Sequence, residues 1–306
     1  MSNIDNTNVS KVLGRIVDYP QQYDKSILVR EPRASNRVHL NIKDEETPFD
    51  GYDVWNAYEV SSLTNNGLPV AGTMKIVYPA TNSYIVESKS LKLYLNSFNM
   101  FRCGETAYDV INFLCKTISK DLSELLETEV KCNFFTTRDI VDHPQMSMHF
   151  WEDYTTLEDE VDLTGIVFDH YQETGSLLRS SYKYSKPQWM KAHSSLLKSN
   201  CRVTKQPDWG DVFIEMYSTN HVDPVSLLKY IVSFRDECHF HEEICETIFT
   251  RLNEIFKPEV LMVKCLYTRR GGIDICPIRY KGADYIDLMQ EDFISLETPY
   301  SKTPRQ

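Results

Sequence analysis

Apolar positions along the chain change their spacing several times, and each change marks an element. Residues Tyr52–Tyr58 and Val70–Pro79 have strand character, in runs such as GTMKIVYP, and TNNGLP between them has hairpin-turn chemistry. Tyr84–Val86 is extended, after which Leu91, Tyr94, Leu95 and Phe98 fall at helical spacing. From Gly104 to Glu129 the stripe Val110, Ile111, Leu114, Ile118, Leu122 and Leu125 predicts an amphipathic helix. The stretch WEDYTTLEDEVDLTGIVFDHYQE is acidic and weakly patterned, and reads as a connector. A second series follows. Cys201–Thr204 and Asp211–Tyr217 read as paired strands, with the cysteine at the start of the first. Asp223 is a good N-cap, with Pro224 in the first helical position of a helix that runs to about Glu237. A further helix spans His241–Phe256 and turns Ile244, Ile248, Leu252 and Ile255 inward, and VLMVKCLYT and GIDICPIRY close the series as strands around Arg269-Arg270-Gly271-Gly272.

The second half thus runs strand, strand, helix, helix, strand, strand, and the first half is a looser version of that order. Hairpins around consecutive helices predict an α+β fold with antiparallel sheets and paired helices rather than a parallel α/β one. The organisation read from these patterns is an arm over 1–48, a first module over 49–150, the acidic connector over 151–185, a second module over 186–284 and a tail over 285–306. The 306 residues are 42% apolar and 25% charged, ordinary for a globular protein. A formal net charge of -11 argues against general affinity for nucleic acid or an anionic membrane, so a phosphate-bearing ligand would need a few placed cations. No apolar run approaches the roughly 20 residues of a membrane helix. MSNIDNTNVSK lacks the apolar core of a signal peptide, and a cytoplasmic protein is expected. The eight cysteines are then expected to be free thiols, most of them packing residues.

Four stretches carry candidate chemistry. In SNCRVTKQPDWGD a buried packing role for Cys201 is the commoner outcome from spacing alone, but Pro207 and Gly210 give turn chemistry that can fold Asp208 back toward the thiol. A free thiol has a pKa of roughly 8.5 and needs a neighbour to become thiolate, and a carboxylate could accept its proton and later return it. In ESKSLK, Ser88 capping a helix would put Lys89 and Lys92 on one face near its N-terminus, a phosphate-sized anion site, although a solvated basic face fits equally well. Glu87, following Tyr84-Ile85-Val86, is expected to point into a partly buried site. In CHFHEEIC the spacing of Cys238, His241 and Cys245 could serve zinc, but no second ligand cluster exists and Cys245 falls on the apolar stripe, so no metal is expected. The better reading has His241 and Glu242 projecting from a helix start to hydrogen-bond a ligand. In RRGG an arginine can grip phosphate while glycines admit close backbone approach, against the competing view of a plain hairpin turn. There is no G-x-G-x-x-G and so no Rossmann cofactor site.

Together GYDVWNAYEVS, VESKSLKLYLNSFN, LLKSNCRVTKQPDWGD, FHEEICETIF and YTRRGGIDICP resemble the NADPH-dependent 7-cyano-7-deazaguanine reductases, nitrile reductases of queuosine biosynthesis, over about residues 51 to 280. The resemblance implies two tandem tunnelling-fold modules of the long type, pairing as a homodimer, with a small deazapurine substrate, no direct nucleic-acid partner and NADPH as cofactor. It implies that Cys201 attacks the nitrile to form a covalent thioimide and that Asp208 is its acid–base partner. Val86, Glu87, Ser88, His241 and Glu242 would bind the base, while Ser88, Lys89, Lys92, Arg270 and Gly271 would contact NADPH. The first fifty residues and the tail are less characteristic of the family. Rival readings are an amidine-forming relative that captures the same nitrile but lacks the lysine motif, a zinc-dependent cyclohydrolase on the same fold, and a non-catalytic purine-binding module.

Overall fold

The computed structural model describes residues 22–43, 46–142, 153–282, 291–299, 303 and 305–306. Its strands are β1 (Arg30–Pro32), β2 (Asp50–Leu63), β3 (Pro69–Pro79), β4 (Tyr84–Val86), β5 (Lys131–Phe135), β6 (Thr155–Thr156), β7 (Ser180–Cys201), β8 (Pro207–Val222), β9 (Cys238–His239), β10 (Val260–Tyr267) and β11 (Ile273–Lys281). The predicted α+β character holds. One nine-stranded sheet runs β5-β3-β2-β11-β10-β8-β7-β6, with β9 added against β7, and only the two-residue pairings of β6 and β9 with β7 are parallel. The halves join where β2 pairs with β11, Trp55 opposite Ile275. Each half has its own apolar cluster. One lies beneath helix Ala107–Leu126, around Leu114, Ile118 and Leu122, and the other beneath helix His241–Phe256, around Ile244, Ile248 and Leu252. The helices thus cover the sheet with their predicted stripes, and burial of those stripes supplies most of the drive to fold.

Several boundaries differ from the sequence reading, each for a local reason. Cys201 ends a strand instead of starting one. β7 begins at Ser180, inside the acidic connector, because Ser180 already pairs with Val222 and the long hairpin carries the ladder outward over exposed polar residues. The connector also holds β6 and the short helix Leu157–Glu160. Helix Pro224–Val232, capped by Asp223 through Ser226 N–H at 2.8 Å, stops earlier than expected and continues as the 3-10 turn Ser233–Asp236. Ile255 is 40% exposed and not inward, since Leu252 and Phe256 already fill that turn of the core face. The cap of helix Ser88–Asn96 is Glu87, not Ser88: its carboxylate accepts Ser90 N–H at 2.6 Å. The first half closes with β5 as its last strand among the described residues before Asp142.

The described part of the N-terminal arm is woven into the body. β1 pairs with β4, and Tyr23 donates to Asp121, as does Tyr94. Arg33 and Arg37, one helical turn apart, enter a buried charge cluster with Asp53, Glu246 and Arg279. Arg37 Nε lies 2.9 Å from Glu246 Oε2, Arg279 Nη2 lies 2.9 Å from Glu246 Oε1, and Asp53 is held between Arg33 and Arg279. No helix among the described residues is long and apolar enough to cross a membrane.

Candidate active site

A cavity of about 300 Å³ opens where the two halves meet, and its walls include Cys201, Asp208, Glu242, Lys89, Arg270 and Trp55. The β7–β8 turn positions the first two. Ser199 pairs with Asp208 and Asn200 with Pro207, and the chain then reverses through Cys201–Gln206. Cys201 N–H donates to Gln206 O at 2.8 Å, Lys205 N–H donates to Cys201 O at 2.9 Å, and Lys205 takes a left-handed φ of 58°. The fold-back therefore occurs, but at Cys201–Gln206: Pro207–Gly210, expected to form the turn, opens strand β8 instead, and thiol and carboxylate share one cavity. Burial disfavours the Cys201 thiolate. The Thr204 hydroxyl, the N–H groups of Thr204 and Val203 and the Lys89 ammonium outweigh it and hold the thiol below its ordinary range.

Asp208 is engaged elsewhere. Its Oδ1 accepts from Arg270 Nη1 and its Oδ2 lies 3.4 Å from His241 Nε2. Against the burial that would raise it, these two partners lower the carboxyl pKa, so Asp208 is an anion in this state. No hydrogen bond links it to Cys201 among the described residues. Arg270 is fixed in turn by Gln206 Oε1 at 2.5 Å. His241 stacks on Tyr267 with ring centroids 3.8 Å apart, and its Nδ1 is buried without a hydrogen-bond partner among the described residues.

Helix His241–Phe256 begins at the cavity, which puts Glu242 in the wall only 4% exposed. Burial first, and then the nearby Asp53 carboxylate, push Glu242 up to about 7. Its carboxyl group makes no ion pair among the described residues. Opposite it, helix Ser88–Asn96 presents Ser88, Lys89 and Lys92, and Lys89 Nζ lies 4.0 Å from Cys201 Sγ. Gly271 has a left-handed φ of 59°, which glycine adopts without strain, and a Cβ there would sit 2.9 Å from Lys92 Nζ and push that cation aside.

Of the residues singled out from sequence, Cys201, Asp208, Val86, Ser88, His241, Glu242, Lys89, Lys92, Arg270 and Gly271 line this one cavity. Glu87 does not. It is buried, but its carboxylate is turned to its own helix, with Oε1 3.9 Å from Lys89 Nζ. Cys238, His241 and Cys245 do not converge: Cys245 is in the core and donates to Val263 O at 3.4 Å, and no metal-ligand cluster occurs among the described residues. Sequence reasoning missed Thr204 and Gln206, although both lie inside the quoted cysteine motif. It also missed Trp55 and His239, which line the cavity.

Family models match in both halves: "Nitrile reductase, 7-cyano-7-deazaguanine-reductase N-term" over residues 19–134 and "QueF-like protein" over residues 207–285. The NADPH-dependent 7-cyano-7-deazaguanine reductase of Coxiella burnetii (strain RSA 331 / Henzerling II) is 38% identical over 283 residues, 91% of this chain and 94% of that protein. The chain belongs to this reductase family. A second member, from Rickettsia bellii (strain OSU 85-389), is 38% identical over 276 residues, 90% of this chain and 94% of its own length. Among solved structures, an archaeosine synthase QueF-Like in the apo form is 19% identical with a TM-score of 0.29, covering 33% of this chain and 98% of that one. In the reductases' terms, the NADPH of their name needs cations and close backbone approach at the phosphates. The rim of Lys89, Lys92, Arg270 and Gly271 offers both.

Proposed function

We infer that this chain is an oxidoreductase that reduces the nitrile of 7-cyano-7-deazaguanine to 7-aminomethyl-7-deazaguanine with NADPH, a step toward queuosine in transfer RNA. One observation carries the reading: a half-buried cysteine with a depressed thiol pKa faces a cavity shared by an unpaired buried glutamate and a basic rim. Glu242, helped by His241, binds the ring N–H and exocyclic amine of the base, since a carboxylate accepts both at once. Val86 and Ser88 complete the base pocket, and Glu87 supports it from behind through the helix it caps. Ser88, Lys89, Lys92, Arg270 and Gly271 hold the cofactor. Cys201 Sγ bonds to the nitrile carbon as one C≡N π bond breaks, and the nitrogen takes up a proton delivered by Asp208, giving a thioimide. When bound, NADPH supplies hydride, two equivalents per nitrile, and two protons complete the amine.

The fold is read as two tandem tunnelling-fold modules, over 49–150 and 186–284, that pair into a homodimer. The consecutive helices over the sheet in each half and the cavity at their junction support it. Lysines in the cavity wall favour hydride chemistry over the amidine-forming alternative. Purified protein should consume two NADPH per nitrile, and Cys201→Ala should abolish this while the base still binds. Nitrile-dependent NADPH consumption by the variant would refute the nucleophile.

A further inference from the structure

We propose that Lys89 serves the sulfur as well as the cofactor: its ammonium group, steered by Glu87, keeps Cys201 as a thiolate before any ligand arrives. The inference rests on the reading of Cys201 as nucleophile. Lys89 Nζ lies 4.0 Å from Cys201 Sγ and 3.9 Å from Glu87 Oε1. Glu87 is immobilised, because its other oxygen caps the helix through Ser90 N–H and its own N–H donates to Val29 O at 2.9 Å. The lysine is therefore held between a fixed carboxylate and the thiol, and is 28% exposed.

The other charged groups around the sulfur are committed. Asp208 is taken by Arg270 and His241, and Arg270 also by Gln206. His239 Nδ1 and Nε2 each lie 2.8 Å from a carboxylate, of Glu243 and Glu237. Lys92 sits against Gly271, and Lys205 in the cysteine turn is exposed. Glu242 is an acid and cannot stabilise a thiolate. The Thr204 hydroxyl and the N–H groups of the turn hold the thiolate first, and Lys89 is the cation that adds its charge beside Sγ. Asp208 is then not needed to deprotonate the thiol. The proton that the nitrile nitrogen gains in C–S bond formation enters from solvent through Asp208 and the adjoining His241, so charge and atoms balance without the thiol proton. Lys89 is a catalytic residue in this scheme, because it touches a reacting atom, and Glu87 is a positioning residue.

The test is the pH dependence of Cys201 alkylation by iodoacetamide, followed by peptide mass spectrometry with neither NADPH nor nitrile present. Lys89→Met should raise the midpoint by about one pH unit, slowing alkylation well below the midpoint roughly tenfold. Lys89→Arg should restore most of the rate, Lys92→Met should leave the midpoint in place, and Asp208→Asn should not raise it. Lys89→Gln, closer in polarity, is the second variant should Met disturb the fold, with the same expectation. An unchanged midpoint in both neutral variants would overturn the proposal and leave Lys89 to the cofactor alone. The readout contains no nitrile, so it stays distinct from a failure of the nitrile chemistry: a Cys201 that shifts as expected yet never captures the nitrile would refute only the proposed function.

Discussion

Glu242 and Glu246 lie one turn apart on the same face of the same helix, both almost fully buried, yet their environments are opposite. Although burial alone would raise Glu246, the guanidinium groups of Arg279, Arg37 and Arg33 hold it down at about 2. For Glu242 the pull of His241 and Arg33 is outweighed, and burial with the nearby Asp53 pushes it up to about 7. The first carboxylate is a structural tie between the arm, the helix and β11. The second is poorly compensated at a cavity wall, where burial favours its neutral form and leaves it open to a hydrogen-bonding ligand. The contrast separates a residue that holds the site together from one that, on the proposed function, reads the substrate.

The sharpest way to break the comparison is to remove each carboxylate. Glu246→Ala leaves three arginines around a vacancy and should cost about 3–5 kcal/mol, the usual penalty for breaking a buried pair from one side. Urea denaturation would measure it, and a loss below about 1 kcal/mol would deny the tie. Glu242→Gln should keep the fold but weaken binding of the deazapurine roughly 10- to 100-fold, since hydrogen bonds to a charged acceptor contribute about 1.5–3 kcal/mol. NADPH binding should change little, and isothermal titration with each ligand separates the two.

A third effect concerns pH. The pKa of Glu242 is raised in the fold, so the stability linked to it is greatest below the usual carboxylate range and is lost as pH rises through about 7. Glu246 runs the other way: its contribution is present above the usual carboxylate range and is lost as pH falls toward about 2. Glu242→Gln should therefore be more stable than the natural chain at pH 8, by up to about 3 kcal/mol, and equal to it near pH 4. Denaturation curves at the two pH values check the sign.

The same contrast explains how much the sequence discloses. The bounds of helix His241–Phe256 are legible to the residue from its apolar repeat, although Ile255 faces out, whereas the turn expected at Pro207–Gly210 falls at Cys201–Gln206, since Pro207 already pairs with Asn200 in the ladder. The arm is not legible. Arg33 and Arg37 look like solvated charges in a polar stretch, and their burial depends on Asp53, Glu246 and Arg279, the last nearly 250 residues away, which hydropathy cannot pair. Glu87 was misjudged for a related reason. An acid after an apolar strand can face a pocket or cap the next helix, and only the position of Ser90 N–H decides. The cavity residues found early came from motifs whose spacing is local, whereas Trp55 and His239 lie inside the quoted motifs but point to the cavity only through their strands, which their residue types do not reveal.

The central claim is that Cys201 forms a covalent bond to the nitrile carbon before any hydride is delivered. Incubating the protein with 7-cyano-7-deazaguanine and no NADPH, then weighing the intact chain and its Cys201 peptide, tests it directly. The account predicts a gain of one substrate mass on that peptide, absent from Cys201→Ala. An unmodified chain, or an adduct on any other of the eight cysteines, would contradict it.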